Sequence, residues 1–207
     1  MNRLILILLA AASVFPAACR KKLEPAEYIR WVDHPGNGLI REDSSFLFGY
    51  QVQFRPHDYM ALRELGGQEW SEEAFREADS GYRDLLYFSL KIMSRDKKQD
   101  VLRTGITQPE ACFERLRYLS EDIRKDLLLV HGEDTLPCVL HHFERTYGVS
   151  PVAGMLVAFD PPAPDPKPMT LLFLDRISGS PSFFSFSFGT PELPRLVFSK
   201  RFSDKQL

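Results

Sequence analysis

Long hydrophobic runs, cysteine and charge of one sign are all in short supply in this chain. The longest apolar stretch, Leu4 to Ala12, is roughly half the ~20 residues a helix needs to span a bilayer, so no transmembrane helix is expected. Lys and Arg number 26 against 28 Asp and Glu, a formal charge of -2. That balance offers no basic face for nucleic acid. Signatures of common chemistries are missing too. "SGSPS" is not the Gly-x-Ser-x-Gly turn of a hydrolase nucleophile, and there is neither a His-Glu-x-x-His zinc helix nor a phosphate-cradling loop. Cys112 or Cys138 as a nucleophile would need a histidine brought close by folding, and nothing in the sequence places His141 or His142 there. A non-enzymatic protein without a cofactor is the expectation.

What is present begins at the first residues. Arg3 and the amino terminus supply a positive start, and the apolar stretch follows, as in a secretory signal. An ordinary cleavage site fits poorly: Pro16/Ala18 is not a pair of small residues, and Ala10/Ala12 falls inside the apolar run. Ala17-Ala18-Cys19 resembles the lipobox of bacterial lipoproteins, whose cysteine receives a thioether-linked diacylglycerol; Pro16 stands where that pattern usually has leucine. The resemblance implies a signal peptide over residues 1–18, lipidation at Cys19 and a basic tether over 19–24. Buried acyl chains contribute ~0.8 kcal/mol per methylene. Arg20, Lys21 and Lys22 would each add ~1 kcal/mol on an anionic surface. The other reading is an ordinary secreted protein in which Cys19 is unmodified.

The remainder, 25–207, suits a single globular domain: 44% of the chain is hydrophobic and 16 residues are phenylalanine, enough for a core. If Cys19 carries lipid, Cys112 and Cys138 are left as an even pair in an oxidising compartment. Bridged, they would close a loop of ~25 residues and contribute ~3 kcal/mol. Unbridged, they are two small buried hydrophobes.

Periodicity predicts an α+β fold, with about eight strands in a mostly antiparallel sheet or sandwich and three or four short helices. Pro25 opens a helix in "EPAEYIRWV", and "DHPGNGL" turns the chain. Phe46, Phe48, Tyr50, Val52 and Phe54 alternate as the buried face of a strand. "PHDYMALRELGG" reads as a helix, Ser71 caps another, and "LLYFSLKIMS" alternates again. Thr107 and Glu110 form a capping-box pattern around Pro109. Residues 116–130 keep both options: Leu116, Leu119, Ile123 and Leu127 hold helical spacing, while the sequence around Gly132 looks like two strands. A helix to about Leu119 and strands thereafter is the expectation. The last third reads as strands: "AGMLVAFD", "MTLLFLDRI", "PSFFSFSFG" and "RLVFSKRF". "PPAPDPKP" links the first two, as a stiff extended connection or a docking surface.

The densest polar cluster is "CVLHHFERTYG". On an unbroken strand Cys138, Leu140, His142 and Glu144 share one face. His142 and Glu144 would offer two metal ligands, with His131 a third across the hairpin. The plainer reading is a hydrogen-bonded His142–Glu144 pair, with Arg145 meeting a carboxylate across strands. Trp31 is either a contact anchor or the fastening of the first helix.

Together, "FPAACRKK", "WVDHPGNGL" and "TLPCVLHHFERTYGVSP" resemble an uncharacterised family of Gram-negative cell-envelope lipoproteins. The resemblance implies export and attachment to a membrane, expected to be the outer membrane facing the periplasm, through lipid on Cys19. It brings no activity with it. The expected function is contact with an envelope protein partner; the alternative is a ligand- or metal-binding module near His142 and Glu144.

Overall fold

The computed structural model describes residues 20–66, 70–97, 99–144, 150–161 and 167–199. The signal, Cys19, Arg145, most of the proline link and the end of "RLVFSKRF" lie outside the described residues, as does any expectation resting on them. Ten strands are described: β1 (Lys22–Leu23), β2 (Ile40–Ser44), β3 (Phe48–Arg55), β4 (Leu86–Ser94), β5 (Leu127–His131), β6 (Asp134–Glu144), β7 (Val152–Phe159), β8 (Met169–Asp175), β9 (Ser182–Gly189) and β10 (Arg195–Leu196). The α-helices are α1 (Pro25–Val32), α2 (His57–Glu64), α3 (Glu72–Ser80) and α4 (Pro109–Arg117).

Eight strands form one antiparallel sheet in the order β2-β3-β4-β7-β6-β5-β8-β9. The α+β expectation holds, with the sheet rolled almost into a barrel. At the seam, Arg41 of β2 donates from Nε to the Ser187 carbonyl of β9 at 2.6 Å, and its guanidinium lies 5.4 Å from the Phe188 ring centre. A barrel of eight strands is just wide enough for side chains to fill, and aromatic rings fill this one. Tyr50 meets Phe173 and Phe184 at 5.5 and 4.7 Å, and Phe88 meets Phe54, Phe159 and Phe188 at 5.3, 5.9 and 5.4 Å. The alternation of "PSFFSFSFG" turns Phe184, Phe186 and Phe188 into this core and leaves Phe183 outside.

The helices follow their local signals. Pro25 is the first residue of α1, and Ser71 caps α3 by accepting from the Ala74 amide at 3.1 Å. Trp31 packs against the core, partly buried, at the end of α1. Two start signals are not used as predicted. Phe46 is 89% exposed, because the β2–β3 hairpin turns at residues 45–47 and the buried face starts at Phe48. Gln108, not Thr107, precedes α4. The ambiguous join resolves into both options in succession: a π turn (Tyr118–Asp122) and a 3-10 turn (Ile123–Asp126) carry helical backbone past α4, and β5 then starts at Leu127. Gly132, at φ +64, begins the tight turn to β6. "RLVFSKRF" contributes only β10, which pairs in parallel with β1 and not with the main sheet.

One end of the barrel is plugged. Buried Arg115 of α4 donates to the carbonyls of Val101, Thr104 and Ile177 at 2.8, 2.7 and 3.0 Å, and stacks over Phe48 at 5.3 Å. Fully buried Asp175 accepts there from Tyr50 Oη at 2.7 Å, the Ile177 amide at 2.8 Å and the Ser178 hydroxyl. The opposite end, where β3 and β5 finish and β4 and β8 start, is open.

Candidate ligand-binding site

The residues singled out from the sequence do not converge. A β-bulge shifts the β6 register between Cys138 and Leu140, so the face assignment of an unbroken strand fails there. Beyond it, His142 and Glu144 share the outer, exposed face, while His141 and Phe143 turn inward with Cys138. Glu144 folds over Gly154 of β7, where a Cβ would meet its Oε2 at 2.9 Å. His131 is paired with Asp134 at the open end. Eight residues along β6 separate Asp134 from His142, about 25 Å at strand rise. The expected His142/Glu144/His131 site is therefore not assembled.

Nor is the Cys112–Cys138 bridge formed; both thiols are free. Cys112 sits on α4 at the plugged end, whereas Cys138 pairs with Phe159 towards the open end and its thiol donates to the Leu140 carbonyl at 3.1 Å. Burial pushes the Cys138 thiol pKa up, as for an inert, protonated cysteine.

The neighbouring His141 gives a pH prediction. Its Nε2 is buried without a hydrogen-bond partner, and burial lowers the imidazole pKa, only partly offset by the Leu119 carbonyl; His142 and Arg124 lower it further. The unfolded chain therefore binds this proton first as pH falls. Stability is complete above ~6.5 and is lost between there and the lower folded-state pKa. The urea midpoint should be lower at pH 5.5 than at 7.5, and H141Q should flatten that dependence. An unchanged slope in H141Q would assign it to another group.

The open end holds what the sequence did not reveal: a cavity of about 410 Å³. That is within the ~300–1,000 Å³ typical of small-molecule sites. Phe54, Leu85, Leu86, Met169 and Leu193 give it apolar walls, and Arg55, His57, Arg83 and Lys167 supply polar groups. Its described lining contains no Asp, Glu, Ser, Thr or Cys. Those walls come from strand ends and connections far apart in sequence, gathered by the roll of the sheet.

The cations of the lining differ in their partners. Arg83 donates from Nε to Asp79 Oδ2 at 2.5 Å, and Asp79 is fully buried. Lys167 Nζ is 3.6 Å from Asp134. Arg55 has no ion pair among the described residues; its guanidinium leans on the Tyr59 ring at 5.8 Å, and its buried Nε has no hydrogen-bond partner. Burial, foremost, and the hydrogen bond to Asp33 push the Tyr59 phenol up to about 12, with Arg55 and Arg63 opposing.

His57 opens α2 directly after Pro56, and Asp79 closes α3; antiparallel packing of the helices brings them together. His57 Nδ1 lies 2.5 Å from Asp79 Oδ1 and 3.3 Å from Asp58 Oδ1. Burial raises the Asp58 carboxyl pKa against the opposing pull of His57. The three ligand atoms lie within 4.8 Å of one another, close enough for a metal ion. Arg83 already balances Asp79, however, so one carboxylate of the cluster is matched from within the chain. With Nδ1 held, Nε2 is the ring nitrogen left for a ligand. Only the dipeptide His57-Asp58 was visible in the sequence; Asp79 stands 22 residues from His57, and no local pattern links them.

No protein-family model, curated protein or solved structure matches this chain.

Proposed function

We propose that this chain is an exported, lipid-anchored, non-enzymatic protein of the cell envelope that holds a small organic ligand in the open end of its barrel. The signal-like start and the resemblance of Ala17-Ala18-Cys19 to a lipobox support export and attachment to a membrane. The observation that carries the binding reading is the cavity itself: apolar walls, polar groups at a few points, and an arginine whose Nε lacks a partner. No hydroxyl or thiol is among its described lining, whose polar groups are the arginines, histidines and lysine that can bind a ligand. This moves the binding module from His142 and Glu144 to the barrel mouth.

A second reading, assembly through a protein partner, draws on the plugged end. Phe46, Phe113 and Phe183, at 89%, 72% and 78% exposure, all project from that end. One experiment addresses both. The tagged full-length protein is crosslinked in its own membranes, purified and examined by native mass spectrometry, beside C19A and L86W. The binding reading expects one small molecule per chain, lost in L86W, with C19A leaving the membrane fraction. A chain that emerges without a small molecule but with a stoichiometric protein overturns the binding reading in favour of assembly.

A further inference from the structure

From the mouth of the barrel we infer the class of ligand: an acyl chain carrying one anionic group, with the chain along the apolar walls and the anion on Arg55. This rests on the binding reading above. Arg55 lines the cavity and has no ion pair among the described residues. The planar guanidinium matches carboxylate and phosphate in a two-point hydrogen bond. Arg83 is already matched by Asp79 and Lys167 lies near Asp134, so Arg55 is the cation left over. Arg55 is thus the anchor within the lining for an anionic head. No carboxylate of the described lining opposes it.

Size and position agree. At ~30 Å³ per water-sized group, the cavity of about 410 Å³ has room for roughly a dozen methylenes, which is one acyl chain. The mouth also lies where the tether joins the domain. Leu193 lines the cavity, and two residues later Arg195 pairs with Lys22, its amide donating to the Lys21 carbonyl at 2.8 Å. Arg20 and Lys21, exposed at the start of the described chain, therefore stand beside the entrance. A domain held by that segment presents its mouth on the membrane-proximal side, next to a supply of acyl chains.

The test uses the full-length chain, with dodecanoate, dodecanol, dodecylammonium and inorganic phosphate as probes, read by native mass spectrometry from detergent micelles. Dodecanoate should bind once per chain, at least tenfold more tightly than dodecylammonium, and phosphate alone should not bind. R55Q should lose tenfold or more for dodecanoate while keeping dodecanol, and R55K should fall between. L86W should lose both. Equal dodecanoate binding by R55Q and the parent overturns the inference while leaving the cavity reading intact. Failure of the parent to bind either dodecanoate or dodecanol overturns both. Phosphatidylcholine vesicles doped with lyso-phosphatidylglycerol or with dodecanoate separate the sources: loading from either supports the class and names the supply, and loading from neither overturns it.

Discussion

Replacing Arg115 with methionine is expected to cost on the order of 5 kcal/mol, from three stranded carbonyls at ~1–3 kcal/mol each, and so to consume much of the ~5–15 kcal/mol that holds a domain together. The side chain is buried at the plugged end, and its guanidinium ties together Val101, Thr104 and Ile177. Burial lowers the Arg115 pKa, so relief of that desolvation returns part of the loss. The nearby Asp175 carboxylate, which favours the charged guanidinium, would then lack a buried counter-charge. R115K keeps the charge but not the planar spread of donors, and should recover only a fraction. Urea titration of the full-length chain followed by circular dichroism decides it. A midpoint for R115M shifted by less than about 1 kcal/mol in free energy would mean that water replaces the guanidinium, and that the plug is not structural.

Phe88→Ala is the second large effect. Phe88 is fully buried and touches Phe54, Phe159 and Phe188, so its ring joins β3, β4, β7 and β9 across the interior. Truncation of a core phenylalanine costs ~3–5 kcal/mol because the transfer loss is joined by an unfilled cavity. For a domain of this size each kcal/mol moves Tm by about 2–4 °C, giving a drop near 10 °C. The control lies on the other face of β9: Phe183, 78% exposed, should change stability by less than about 0.5 kcal/mol as F183A. Equal losses for the two would contradict the inside-outside assignment of the strand. Phe54 also lines the mouth, so F88A should enlarge the ligand cavity as it weakens the fold.

Legibility in the sequence followed the range of the signal. The strand residues Phe48 to Phe54 and Phe184 to Phe188 were readable because each alternates within a few positions, and Ser71 and Pro25 because caps act within a turn. β2 was not readable: Ile40 to Ser44 is short and charged, and becomes a strand by pairing with β3. The β6 face assignment failed because an extra residue at the bulge changes the alternation without changing composition. The mouth was out of reach for another reason. Arg55, Leu86, Met169 and Leu193 become neighbours only when eight strands roll, and His57 meets Asp79 only when two helices pack. The candidate site was thus invisible even where its individual elements were not.

The seam at Arg41 has a consequence beyond shape. Ser182–Gly189 is a run of alternating Phe and Ser with no charge and no proline, the composition from which cross-β fibrils form. In an open sheet that strand would be an exposed edge, free to template another chain. Here β2 lies against it, with Arg41 bonded to the Ser187 carbonyl and seated on Phe188. A molecule that keeps its ladders but lets this seam part is therefore a nucleus for aggregation, and Arg41 is the gatekeeper against it.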